Sequence, residues 1–415
     1  MKKHLLALSA AAVLLAPNAV GAEGFSINEW SAEGFGMAGA RMFAENDAAN
    51  MAYNPASLTK VQGEKAKVSL AYISPHGKWD ATDVFGGKHS GHNRVNPAFA
   101  PGMYYTKQLN DKEWIGMGTY ARFGNMCQFE RDSIVGTNAF SSRVNGVSLG
   151  LNYARKHNEK WSTSVGAEIN YIGLQLDKSP VLDATTFTRG AVHTEGTSWA
   201  LGWNAAANYA FDDKNEFGVV YRSKVKHSME ADLDMHMSGM SGTADAYGVV
   251  TLPESWMLGY GHKFNEKTRM ELNATWTRWS RFDAFNMYFS NHTGIAADLG
   301  SANENAKNWK DGWRYAIGIE HKLSDKYSLL AGMAHDERGI PDETADFMVP
   351  TGERDTYTLG IQYHDKKQTI AASFGYMDVG DLNMTGHTAK GEAYANAKMH
   401  DSYTKIVVLS YQYNF

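Results

Sequence analysis

The sequence predicts a fourteen-stranded antiparallel β-barrel of the outer-membrane type, closed inside by a segment from its N-terminus. Three observations lead there. Stretches of roughly ten residues alternate apolar with small or polar side chains, as strands with one lipid face must. The segments joining them are short and long in strict alternation. The chain also ends on KIVVLSYQYNF, an alternating run whose last residue is Phe415. A mean hydropathy of −0.42 agrees, because only every second strand residue meets lipid while loops and lumen are wet.

The chain opens MKKHLLALSAAAVLLAPNAVGA. Two lysines, an apolar stretch and the small residues Val20-Gly21-Ala22 read as a signal peptide over 1–22, cleaved near Ala22. The apolar part is short for a spanning helix, and no stop-transfer segment follows. Without Lys2 and Lys3 the chain carries 38 basic and 45 acidic residues, a formal charge of −7. No basic block suggests nucleic acid as a partner. Cys127 is the only cysteine, so disulfides do not hold this exported chain together. His76, His89 and His92 share one polar segment, but their spacing is not that of a metal site, and neither metal nor cofactor is expected.

Residues 23–60 do not alternate. They combine many small residues with Phe25, Ile27, Trp30, Phe35, Met37, Met42, Phe43, Met51 and Tyr53, too many hydrophobes for a solvated tail. A barrel of fourteen strands can hold a small folded segment, so this stretch is expected as a hatch in the lumen, with the barrel over 61–415. Asn54-Pro55-Ala56 makes a rigid corner, since proline fixes its own φ and biases Asn54 away from helix.

The strands follow. In YSLLAGMAHD, Tyr327, Leu329, Ala331 and Met333 share one face; in LGWNAAANYAF, Leu201, Trp203, Ala205, Ala207, Tyr209 and Phe211 do. Short charged turns fall at 110–112, 157–160, 212–215, 265–267, 324–326 and 365–367. Long polar segments fall at 75–97, 130–143, 179–197, 233–247, 290–307, 340–354 and 381–401. Trp114, Trp161, Trp256, Trp276, Trp279, Trp313, Tyr403 and Tyr411 lie near strand ends, where interfacial girdles form. In the final strand Val407, Leu409, Tyr411, Tyr413 and Phe415 are expected toward lipid, and Val408, Ser410, Gln412 and Asn414 inward. That strand must close against the first, near Ala66–Ser74, because lipid satisfies no backbone group. Its terminal aromatic resembles the signal read by the outer-membrane barrel assembly machinery.

GFSINEWSAEGFGMAGA followed by ENDAANMAYNPASLTK resembles the start of the FadL family of outer-membrane long-chain fatty acid transporters. The similarity continues through LGWNAAANYAFDDKNEFGVVYRSKV at 201–225, LPESWMLGYGHKF at 252–264 and KDGWRYAIGIEHKLSDKYSLLAGMAHDERGIPDE at 310–343. The resemblance implies a fourteen-stranded barrel with an N-terminal hatch and no enzymatic activity. It also implies hydrophobic cargo bound outside, passed to a lumen pocket, and released sideways at a kinked third strand.

The residues suggest where. In EWIGMGTYARFGNMCQFE, Ile115, Met117, Thr119, Ala121 and Phe123 set a lipid-facing register, and Asn125 would continue it into lipid beside Gly124. The lateral opening is therefore placed at Phe123, Gly124 and Asn125, where glycine in a strand marks a bend. The resemblance puts the family's kink there too, and puts the Asn54-Pro55-Ala56 corner against the kinked strand. A fatty acid carboxylate needs a cation. Lys310 and Arg314 share the inward face of NWKDGWRYAIGIE and are the candidates, with a lumen charge network involving Glu168, Glu271 or Glu320 as the other reading. The family's second lumen base is expected from strand five, where INYIGLQLDKS supplies only Gly173, Leu174 and Gln175. Met235, Met237 and Met240, in the segment 233–247, are candidates for an outer apolar capture loop.

Passive uptake of long-chain fatty acids or similar hydrophobic molecules by a monomer surrounded by outer-membrane lipid is the expectation. An aromatic hydrocarbon channel and a surface adhesin or receptor barrel are the alternatives. Gly146-Val147-Ser148-Leu149-Gly150 fits the nucleophile-elbow pattern and defines a lipid hydrolase as a third, but it sits inside an alternating strand instead of a strand-to-helix turn.

Overall fold

The computed structural model describes residues 24–183 and 188–415; the signal peptide expected over 1–22 lies outside the described residues. Fourteen antiparallel strands close a barrel. They are β1 (Glu64–Asp83), β2 (Ala98–Asn110), β3 (Glu113–Tyr120, resuming at Gly124–Gln128), β4 (Ser141–Lys156), β5 (Trp161–Lys178) and β6 (Ala191–Ala210). Then come β7 (Asn215–Arg222 and Val225–Met237), β8 (Met240–Leu252 and Ser255–Lys263), β9 (Thr268–Thr277) and β10 (Gly312–Lys322). The last four are β11 (Tyr327–Asp336), β12 (Arg354–His364), β13 (Gln368–Val379) and β14 (Tyr394–Asn414). β14 closes on β1 in a ladder that begins at Lys65 opposite Asn414 and runs past Trp79 opposite Met399, so no edge is left at the seam.

The dyad pattern holds at that seam. Leu409 and Tyr411 are 54% and 42% exposed on the outer wall, whereas Val408, Ser410 and Gln412, which alternate with them, are buried. Outer aromatics pack in tilted pairs across neighbouring strands, Trp203 against Tyr221 at 4.9 Å and Tyr221 against Trp256 at 4.7 Å. Two girdle candidates face the other way: Trp114 is buried and donates to the Val61 carbonyl, and Trp279 is buried inside the outer half of the barrel.

Three segments expected as loops are largely strand. The stretch 233–247 belongs to one long β7–β8 hairpin that turns at Ser238-Gly239, with φ of +46° and +84°. β1 continues to Asp83 and returns through Lys88–His92, and β14 starts at Tyr394. A twenty-residue strand spans roughly 66 Å, about twice the hydrocarbon thickness. Beyond the bilayer a strand has no lipid face, so its outer residues turn polar and look like loop.

The hatch fills the half of the lumen near the short turns. Its elements are α1 (Ala32–Gly36), α2 (Asn50–Tyr53) and a 3-10 turn over Pro55–Lys60. The Ser31 side chain caps α1 by accepting from the Gly34 amide at 3.1 Å. Phe35, Met37, Met42, Phe43 and Met51 are all buried. Ion pairs tie hatch to wall: Lys67 on β1 meets Glu33 at 2.9 Å and Asp47 at 2.5 Å, and Arg41 meets Asp47 at 3.2 Å and Glu320 at 3.1 Å. Glu271 accepts from the Met42 and Phe43 amides and pairs with Arg269. Buried charges of this kind fix one docking geometry more than they add stability.

The opposite half is capped by inward-folded connections whose buried side chains include Phe129, Phe285, Trp309, Ile340, Phe347 and Tyr394. Lys307 and Asp346 form a buried ion pair there at 2.5 Å. His387 stacks on Tyr394 at 4.7 Å, and burial holds its pKa down to about 4, so it packs as a neutral ring at neutral pH.

Candidate functional site

β3 is broken because two consecutive side chains both turn inward. Below the break Gly116, Gly118, Tyr120 and Arg122 are buried; above it Phe123 and Cys127 are. Three residues, Ala121, Arg122 and Phe123, stand opposite two on β4, since Tyr120 pairs with Ser148 and Gly124 with Asn145. That extra residue is a bulge, and it flips every later side chain to the other face. Arg122 is drawn in by Glu168 at 2.9 Å. Phe123 is drawn in by an aromatic cluster around Phe25 of the hatch, whose ring centroid lies 5.8 Å from Phe123, 4.9 Å from Trp279, 5.7 Å from Phe282 and 5.9 Å from Trp309.

Two expectations are thereby corrected. Phe123 does not face lipid but is buried, and Asn125 is half-buried and donates to the Met348 carbonyl at 2.8 Å. The alternation rule fails here because the bulge shifts its phase by one.

The bulge also ends the β2–β3 ladder. Its last pair is Met103 with Thr119, and Gly124–Gln128 pairs with β4 alone. Residues Ala98–Gly102 of β2 keep only β1 as a strand neighbour. The hatch N-terminus lies along the freed edge of β3: Ser26 bridges Phe123, the Gly124 amide donates to the Phe25 carbonyl, and the Ile27 amide donates to the Arg122 carbonyl, each at 2.9 Å. Gly24 must be glycine, because at φ +48° a Cβ would fall 2.7 Å from the rings of Trp279 and Trp309.

A cavity of about 410 Å³ opens at this break. Its apolar lining includes Phe25, Ile27, Val144, Met377, Met399 and Ile406, and it continues to Phe99 and Val147, which are on the lipid-facing surface. Its polar lining includes Glu29, Asn125, Arg354 and Thr404. A size of a few hundred cubic ångströms with a few polar groups in an apolar wall suits a small hydrophobic ligand. A second, polar chamber of about 630 Å³ lies on the side of the short turns, lined by Lys65, Arg41, Glu320 and Asn414 among others.

The remaining candidates fall elsewhere. Lys310 is exposed and precedes β10, its amide donating to the Gly339 carbonyl, so the inward register expected of it does not apply. Arg314 does point inward, but its Nε pairs with Asp336 at 3.1 Å and its Nη2 donates to the Ala38 carbonyl at 2.8 Å, holding the hatch. The arginine that lines the cavity among the described residues is Arg354, the first residue of β12, which composition had placed at the end of a long loop. Asn54 caps the 3-10 turn, accepting from the Ala56 amide and donating to Asn208 on β6 at 2.7 Å, while Ser162 on β5 donates to the Ala56 carbonyl. Leu58 of that turn lies over Gly116 in the lower half of β3, away from the bulge. Met235 is buried and Met240 half exposed, both on the β7–β8 hairpin. Ser148 lies mid-strand, buried, with its hydroxyl donated to Asn170 at 2.7 Å.

A family model described as outer membrane protein transport protein (OMPP1/FadL/TodX) matches residues 13–415. The long-chain fatty acid transport protein of Escherichia coli K12 is 24% identical over 429 residues, covering 92% of each chain. Outer membrane protein P1 of Haemophilus influenzae is 24% identical over 413 residues, covering 88% of this chain and 87% of that one. Among solved structures, a Pseudomonas aeruginosa FadL homologue superposes with a TM-score of 0.83 at 18% identity, over 94% of this chain and all of the other. The Pseudomonas putida toluene transporter TodX superposes with a TM-score of 0.71 at 17% identity, over 94% and 99%. At these identities the superpositions establish the barrel fold.

Proposed function

The chain belongs to the OMPP1/FadL/TodX family of outer-membrane transport proteins, and from that membership we propose that it takes up long-chain fatty acids and releases them sideways into the membrane at the β3 bulge. One observation carries the reading: a single cavity is lined both by interior side chains such as Ile406 and by lipid-facing ones such as Phe99. An apolar chain held there stays out of water along the whole path, which a polar pore could not offer. Capture would begin on apolar side chains near the outer rim, Met237 and Met240 included, with Met235 buried beneath them. Direction comes from the concentration gradient and from consumption inside, with no nucleotide involved.

The first test is uptake of radiolabelled oleate by a deletion strain of the source organism carrying no second transporter of this family, with and without the gene restored. Restored uptake and growth on oleate are expected; equal growth of both strains would overturn the reading.

A second cargo class has its own observation. The ring of Phe25 is surrounded by Phe123, Trp279, Phe282 and Trp309, a setting that suits an arene once the hatch N-terminus withdraws. Toluene uptake without oleate uptake in the same strains would assign that class instead. We also infer that the assembly machinery reads the β14 terminus. Removing Phe415, 71% exposed at the strand end, should lower the amount of folded barrel in the outer membrane several-fold, read as heat-modifiable protein on gels. Unaltered amounts would refute it.

A further inference from the structure

The cavity holds a guanidinium that makes no hydrogen bond among the described residues. Arg354 lines it with its side chain only 12% exposed, and among the described residues its one ionic contact is Asp336 at 3.8 Å, beyond hydrogen-bonding distance. Asp336 is already engaged by Arg314 at 3.1 Å. A guanidinium has five donors, and those of Arg354 face the cavity free to take an anionic acceptor. The other charged group on the cavity wall is Glu29 of the hatch, whose Oε2 accepts from the Asn28 amide at 3.0 Å. All four groups also line one small void behind the cavity, so Glu29 and the two arginines share a polar corner of an otherwise apolar space.

We propose that Arg354 receives the head group of a single-chain carboxylate amphiphile, and that Glu29 competes with that head group for the same guanidinium. The inference rests on the uptake reading above and names the chemistry of its site. The alkyl chain would lie along Phe25, Ile27, Met377 and Ile406 toward the bulge, while the carboxylate takes the N–H groups that Arg354 leaves unused. Glu29 lies two residues after Ile27, whose amide is bonded to the Arg122 carbonyl on β3. A cargo anion that takes Arg354 therefore withdraws the opposing charge from the stretch of hatch lying along the break. A neutral hydrocarbon would bind the same walls without engaging either group.

The charge competition predicts two effects of opposite sign. Radiolabelled palmitate and hexadecanol are bound to the purified full-length barrel, with folding of each variant checked by heat-modifiable migration. Arg354→Met should weaken palmitate about tenfold, as expected for one lost charge-assisted interaction, and leave hexadecanol within about twofold. Arg354→Lys should restore part of the loss. Glu29→Gln removes only a charge and should tighten palmitate about threefold or more, again leaving hexadecanol unchanged. Equal changes for acid and alcohol, or weaker palmitate binding in Glu29→Gln, would overturn the assignment while leaving hydrophobic uptake intact. Binding of neither ligand by the unaltered protein would overturn both.

Discussion

Replacing Gly124 with tryptophan should bring oleate uptake down to the level of the deletion strain while the barrel still assembles. Gly124 lines the cavity at the point where β3 has lost β2 and regained only β4. A Cβ there would lie 2.5 Å from Cδ1 and 3.6 Å from Cγ1 of Ile27, and 3.5 Å from the Val144 carbonyl oxygen. An indole would push the Ile27 side chain aside and fill the cavity that Gly124 and Ile27 both line. Its backbone bonds to β4 are untouched, so folding is spared. Gly124→Ala is the control, because the end of the Ile27 side chain can move aside for one methyl group at little cost. The measurements are labelled-oleate uptake in whole cells and heat-modifiable migration of the variant. Full uptake in an assembled tryptophan variant would remove the sideways route.

That break was partly legible in the chain. Gly124 beside Asn125 interrupts an apolar register, and the interruption is where the bulge lies. The side of the wall each residue takes was not legible, because it depends on distant partners. Arg122 faces in for Glu168 on β5, and Phe123 faces in for Phe25 on the hatch. The alternation itself, the short turns and the closure of β14 on β1 are local consequences of lipid on one face and needed no such knowledge. Strand length was legible only within the bilayer: the polar outer parts of β7 and β8 pair as strands but carry no lipid face to show it. The same limit hid Arg354. It opens β12 after a polar stretch, and only the folded chain shows it on the cavity wall, whereas Lys310, promising by spacing, precedes its strand and is exposed. A lumen network around Glu168, Glu271 and Glu320 was the other reading of the interior charges: Glu271 and Glu320 bind Met42, Phe43 and Arg41 of the hatch, while Glu168 joins wall strands to one another.

The largest stability effect should come from that network. Glu168 on β5 is fully buried and accepts from Arg122 at 2.9 Å, Arg222 at 2.6 Å, the Tyr120 hydroxyl at 2.9 Å and Asn204 at 3.1 Å. Arg222 also donates to the Ala52 carbonyl, so the cluster joins β3, β5, β6 and β7 to the hatch. Glu168→Ala strands two guanidiniums, each 5% exposed, without their acid. Removing one partner of a buried pair typically costs about 3–5 kcal/mol, and here two bases are orphaned by one change. The unfolding midpoint in denaturant should fall accordingly, followed by the folded and unfolded bands on gels of detergent-solubilised protein. Glu168→Gln keeps an acceptor and should lose less. The triple variant Glu168→Leu, Arg122→Met, Arg222→Met separates the two possible causes. If the loss comes from uncompensated charge, the apolar triple should recover most of it, since packed hydrophobes often replace a buried ionic cluster without cost. If it unfolds as readily as Glu168→Ala, shape rather than charge holds β3 to the hatch. Recovered stability in that triple would carry a functional consequence. With no arginine at position 122, the side-chain pull toward position 168 is gone, and the bulge then depends on Phe123 in the Phe25 cluster and on the backbone bonds to the hatch N-terminus.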